Sequence, residues 1–243
     1  MTPTCDQILA ADDVTWPAAR FVADGPWLLR KGLGGGQRVS AASAQGFVDE
    51  PDIDHAIDAM RSMAQHPLFM IRPQDSTLDH LLEQRGFSKK DPVAALFAPL
   101  IDLTGDVPPA VATPAWPPLA VQHDIWASAG IGPERFAVMD RAKTPKTTHL
   151  GRAGDVPAGT AFTGIDGRLA MLHALEVLPE QKRKGVGRHI MTASANWAAA
   201  QGAEWLSVLV VKANVAANAF YKSIGMRDSG IGYHYRRAPE MDT

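Results

Sequence analysis

The sequence predicts an α/β protein with mixed sheets, built from two halves of like element order. Three observations carry this. Apolar runs of strand length, at 67–72, 93–98 and 204–211, alternate with segments whose apolar residues recur at helical spacing. Residues 101–118, with Pro108, Pro109, Pro114, Pro117 and Pro118, separate residues 1–100 from 119–243 and read as a linker, because proline removes a donor and blocks helix continuation. With 46% apolar and 21% charged residues, the 243-residue chain has the make-up of a folded soluble protein of one to two domains.

Residues 1–20 hold a short helical start and then Trp16-Pro17. Residues 25–31 and 37–44 read as strands. The glycine-rich run 32–36 between them suits either a phosphate cradle or a hairpin turn; no helix follows closely to supply an anion site, so it reads as the turn. Asp52 is expected to cap a helix running to about Gln65, with Ile53, Ile57, Met60 and Ala64 on one face. A buried strand at 67–72, a helix at 77–85 stopped by Gly86, and a strand at 93–98 complete the half. The second half opens with short helices at 121–129 and 133–142. Strands follow near 147–151, 159–165 and 168–177, the last two joined by a hairpin turn at Asp166-Gly167. A helix from Val186 to about Gly202, a core strand at 204–211, a helix at 215–224 and a closing strand at 231–236 end the chain. The two halves repeat the order strand, strand, helix, strand, helix, strand.

The chemistry gathers where the strand at 168–177 meets the next helix. Lys182, Arg183, Lys184 and Arg188 surround a turn whose Gly185 and Gly187 let a ligand approach the backbone closely. The helix beginning at Val186 points its free N–H groups and positive dipole end at that turn, an arrangement that binds phosphates. Neither a P-loop nor a three-glycine dinucleotide turn is present.

Strand, basic Gly-x-Gly turn and helix resemble the signature of the GNAT superfamily of acyl-CoA-dependent N-acyltransferases, here Lys182-Arg-Lys-Gly-Val-Gly187, with lysine where the family usually has Gln or Arg. The run Asn214-Val-Ala-Ala-Asn-Ala-Phe-Tyr-Lys-Ser-Ile-Gly-Met226 is similar to the second signature, Met226 replacing the usual Phe. The resemblance implies a tandem pair of GNAT-like halves: a degenerate one at 1–100, where the acidic Gln45–Glu50 stretch replaces the basic turn, and a catalytic one at 119–243. It implies acetyl-CoA as co-substrate, its pyrophosphate on the amides of 183–188 and its pantetheine arm along Val177 and Leu178. The cofactor-binding candidates are therefore Val177, Leu178, Lys182, Arg183, Lys184, Gly185, Val186, Gly187, Arg188, Asn214 and Asn218. The strand at 168–177 should splay from that at 204–211 to open a slot for the thioester. Tyr221 would be the general acid toward the departing thiolate. Glu176 and His173 both remain candidates for the base. Tyr233, His234 and Tyr235 of the closing strand are candidates for lining the acceptor pocket.

The resemblance implies the expected function: transfer of an acetyl group from acetyl-CoA to a primary amine by direct attack in a ternary complex. A non-catalytic acyl-CoA-binding sensor is the alternative. The acceptor is a small-molecule amine or a peptide or protein amine. Net charge is −2, so the basic turn is local, which argues against nucleic acid as partner. No run approaches the ~18 apolar residues of a membrane span, and the N-terminus shows no secretory signal. Cys5 is the only cysteine, in keeping with a cytoplasmic protein. The eight histidines show no metal-ligand spacing, and His173 and Glu176, three apart on a strand, should point to opposite faces.

Overall fold

The structure, a computed structural model, describes residues 2–240. In chain order the described residues form α1 (Cys5–Thr15), β1 (Arg20–Asp24), β2 (Trp27–Lys31), β3 (Ala42–Ala44), α2 (Glu50–Ser62), β4 (Leu68–Ile71), α3 (Ser76–Gln84) and β5 (Ser88–Pro99). There follow β6 (Ala112–Ala115), α4 (Ala120–Ser128), α5 (Pro133–Arg141), β7 (Lys146–Ala153), β8 (Val156–Asp166), β9 (Leu169–Val177), α6 (Val186–Ala200), β10 (Trp205–Val211), α7 (Val215–Ser223) and β11 (Arg227–Arg237).

The expected mixed α/β architecture is present as one continuous sheet, ordered β1-β2-β3-β4-β11-β5-β10-β9-β8-β7-β6. Its centre is an exchange. The last strand of the first half, β5, pairs with β10 of the second, Val93 opposite Val211 and Pro99 opposite Trp205. The last strand of the second half, β11, lies between β4 and β5. Each half is thus closed by a strand from the other. The apolar run 93–98 is buried except for the half-exposed Phe97, because both edges of β5 are paired and both faces covered.

The faces of the sheet are covered by different helices. Along β8, Ala161 and Ile165 join one core with Val186, Ile190 and Met191 of α6. The alternate residues turn to the other face, where Thr160 meets Gln122 of α4 and Gly164 lies against Thr15 of α1. A methyl on Gly151 of β7 would lie 2.6 Å from Ile190 Cδ1, so α6 sits closer to the sheet than any side chain there would permit.

Several expected elements shift. The helix capped from Asp52 begins earlier: Asp49 is the cap and Asp52 returns a bond to the Asp49 N–H in a capping box. Residues 37–44 are not one strand, since 37–39 form a 3-10 turn and only 42–44 pair. The run 32–36 is accordingly no tight hairpin turn but part of the long connection from Lys31 to Ala42. The proline-rich stretch contains β6, an edge strand paired only with β7, and there Pro114 needs no N–H for a ladder. β1, an outer edge strand with alternately exposed residues, has too weak an apolar pattern to announce itself.

The exchange makes a prediction. Residues 119–243 expressed alone lose β5, leaving β10 with an open apolar edge and β11 with neither neighbour. This fragment is expected to aggregate, read by light scattering after size-exclusion chromatography. A monodisperse fragment of native helix content would contradict the account.

Candidate active site

β9 and β10 run parallel and pair only at Leu169–Trp205, Ala170–Leu206 and Met171–Ser207. Beyond that point β9 continues to Val177 and β10 to Val211 without pairing to each other, so the sheet opens into a slot. A bulge helps to open it. The β8–β9 register jumps between Thr160–Glu176 and Phe162–His173, and Ala174 adopts φ 50°. The extra residue reverses the side-chain alternation. His173 and Glu176, expected on opposite faces, therefore line one cavity of ≈ 580 Å³.

That cavity passes through the slot. From the α6 side it is lined by Asn214, Ala217 and Tyr221 of α7, and from the other side by Trp16, Arg38, Ile131 and Arg135. Glu176 is half-buried, and burial raises its carboxyl above the ordinary 4.5, against the pull of Lys182 and Arg135. Tyr221 is buried; desolvation, reinforced by the Glu176 charge, pushes its hydroxyl well above 10, so it keeps its proton.

His173 has no free nitrogen. Thr15 Oγ1 donates to the Ala11 carbonyl (2.7 Å) and so accepts from His173 Nε2–H (2.9 Å). Arg38 Nη1 donates to His173 Nδ1 at 3.2 Å. Burial and the Arg38 charge hold the ring neutral, and Trp16 stacks on it at 5.0 Å. Arg38 also meets Asp12 Oδ1 (3.1 Å) and the Leu209 carbonyl (3.5 Å), spanning β9 and β10 where they part. Burial lifts Asp12 to about 6 despite that guanidinium. This cluster comes from α1 and the 32–41 connection, so no motif in the second half could reveal it.

The turn before α6 has the expected form. Gly185 caps the helix with φ 82°, a conformation that suits glycine, and Lys182, Arg183 and Lys184 are exposed around it. The first helical bond runs from His189 N–H to the Gly185 carbonyl (3.0 Å), so the amides of Val186, Gly187 and Arg188 have no helical acceptor. Val186 itself is buried beneath, and Arg188 is exposed. The Leu178 N–H is bonded to the Ala158 carbonyl (2.9 Å), toward β8. Its neighbour Val177 therefore turns its backbone groups the opposite way, toward the slot. Asn214 caps α7 by accepting from the Ala217 N–H (3.1 Å) and also lines the cavity. Asn218 instead spends its amide on the carbonyls of Val211 (3.0 Å) and Asn214 (2.8 Å), holding α7 to the end of β10. Of the closing strand, Tyr233 and Tyr235 reach the cavity, while His234 faces away to Asp79 (2.8 Å).

A larger hollow, ≈ 760 Å³, occupies the equivalent place in the first half, where β3 and β4 stop pairing after Ser43–Met70. Size does not make it the better site for an acyl donor. The N-terminus of α2 is closed by Asp49 and Asp52, with Glu50 beside them, and repels a phosphate. Among the described residues no group of three or more His, Cys, Asp or Glu could hold a metal ion, and no helix is long and apolar enough to cross a membrane.

Residues 114–226 match the acetyltransferase (GNAT) family. Mycothiol acetyltransferase of Clavibacter michiganensis subsp. michiganensis is 30% identical over 81 residues, 33% of this chain and 26% of that protein. The same name and identity recur in Clavibacter sepedonicus, of whose protein 27% is covered, so the chain matches about a quarter of the length of these relatives. Among solved structures, a GCN5-related N-acetyltransferase from Kribbella flavida superposes with a TM-score of 0.71 at 18% identity, over 99% of this chain and 98% of that one. A tandem GNAT protein from the clavulanic acid biosynthesis pathway gives 0.57 at 13%, over 83% and 76%. These likenesses extend the shared fold to both halves. The part of the chain that matches the acetyltransferase (GNAT) family, residues 114–226, carries the slot, the basic turn and Tyr221.

Proposed function

We propose that this chain is an N-acyltransferase that moves an acetyl group from acetyl-CoA to a primary amine by direct attack in a ternary complex. The observation that carries the reading is the slot between β9 and β10, flanked by Glu176 and Tyr221 and placed beside an α6 N-terminus with unpaired amides. The names of the Clavibacter relatives support acetyl as the group moved. Catalysis belongs to residues 119–243; residues 1–100 are a degenerate half that walls the cavity, joined to it through 101–118.

Acetyl-CoA fits the residues present and supplies an activated acyl carbon in its thioester. The amides from Arg183 to Arg188, with the exposed Lys182, Arg183 and Lys184, hold its pyrophosphate. Val177 offers its backbone to the pantetheine arm as an added strand would. The acceptor nitrogen attacks the acyl carbon, the C–N bond forms, the C–S bond breaks, and the amine proton passes to Glu176, directly or through water. Tyr221 donates a hydrogen bond to the leaving sulfur. His173, with both nitrogens engaged, positions Arg38 and takes no proton. The test is release of free thiol from acetyl-CoA, expected only with an amine present. Acetyl-CoA binding without thiol release across a broad amine panel would replace this reading with that of a sensor.

A further inference from the structure

We infer that the acceptor is an amino-carboxylate, and that Arg135 takes its carboxylate while the amine faces Glu176. This rests on the acyltransfer reading and adds the class of acceptor.

Four charged side chains line the cavity: Arg38, Asp91, Arg135 and Glu176. Arg38 is committed, to Asp12, His173 and the Leu209 carbonyl. Arg135 is not: among the described residues no carboxylate pairs with it. It nevertheless faces inward. It lies on α5 one turn from the buried Val138, and Ile131, just ahead of the helix, is buried too. Its guanidinium lies over Gly36, where an added Cβ would stand 3.6 Å from Nε and 3.7 Å from Nη2. Gly36 has φ 101°, and Gly35 beside it would place a methyl 2.7 Å from Val138 Cγ2. The glycine run 32–36 thus lets the first half lie directly under α5, roofing the cavity with backbone and leaving the planar fork of Arg135 open to it. Arg135 is also near enough to Glu176 for its charge to lower that carboxyl.

A fork without an acid partner, beside the group that receives the amine proton, suits a ligand with both an amine and a carboxylate. The charge balance favours a carboxylate over a phosphate. One uncommitted cation neutralises a single negative charge, whereas a dianion would also face Glu176 and Asp91. The acceptor would enter from the α5 side and the acyl donor from the α7 side, so the two meet at the slot.

The experiment measures thiol release from acetyl-CoA with matched pairs, each amino acid against its own carboxamide, for the wild type and Arg135→Gln, alongside acetyl-CoA calorimetry. At least one acid is expected to outrun its amide, with a KM lower by about 10- to 100-fold, the range of one charge-assisted pair. Arg135→Gln is expected to raise the KM of the acid and erase the preference. Amides equal to acids in the wild type, or a preference that survives Arg135→Gln, overturns the inference and leaves acyltransfer standing. Absence of acetyl-CoA binding overturns both. The wild-type ranking decides even if the variant misfolds.

Discussion

Glu176→Gln is expected to lower kcat by roughly 10²- to 10⁴-fold, the contribution of a positioned general base, while acetyl-CoA affinity changes little. The amide is nearly isosteric with the carboxylate but cannot take the amine proton. The pH profile gives a sharper reading. In the proposed reaction Glu176 acts in its ionised form, and burial holds its pKa above the ordinary 4.5. The wild-type rate should therefore fall as pH drops through that raised value, and the acid limb should lie above that of a free carboxylate. The deprotonation of the amine acceptor itself adds a separate, more alkaline dependence. In Glu176→Gln the carboxylate limb should vanish and the amine's dependence remain. An unchanged limb would assign the base elsewhere, and His173 cannot take the role while Thr15 and Arg38 occupy its nitrogens.

Tyr221→Phe is expected to lower kcat by about 100-fold, again with acetyl-CoA affinity nearly intact. The change removes one hydroxyl from a buried side chain and leaves its packing. A phenol in water lies ~1.5 pKa units above a thiol, so complete proton transfer to a thiolate is already uphill. Burial raises the Tyr221 hydroxyl further, so the contribution proposed for it is a hydrogen bond to sulfur as negative charge develops. Pre-steady-state mixing would show the loss in the acyl-transfer step. Wild-type rates in Tyr221→Phe would remove Tyr221 from the chemistry and leave it a core residue of α7.

What the sequence could show was what is local. Lys182–Gly187 form a turn whose parts are neighbours in the chain, and the glycines, the basic residues and the helix start all lie within seven positions. Tyr221 was placed by a helix seven residues after Asn214. The pocket across the slot was not legible, because it is made between halves. Arg38 arrives from a connection in the first half and meets His173, 135 positions away. The glycines at 32–36 read as a turn because their partner is α5, about a hundred residues on. The bulge at Ala174, which brings His173 and Glu176 together, leaves no mark in residue type, since alanine has no preference for φ 50°. Element order likewise could not foresee that β5 and β11 change places, because each strand keeps its apolar pattern on either side of the exchange.

The most direct test is calorimetric titration with acetyl-CoA of the wild type and of Gly187→Glu. A Cβ at Gly187 would meet Phe220 Cζ at 3.4 Å and Val177 Cγ2 at 3.8 Å, ordinary contacts, so the variant should fold. A carboxylate in the first turn even favours the helix while repelling a pyrophosphate. One saturable site per chain is expected in the wild type, because α2 is closed by its own acids, and no detectable site in Gly187→Glu. Equal binding by the two proteins, or none by the wild type, would contradict the placement of the acyl donor on which the proposed reaction rests.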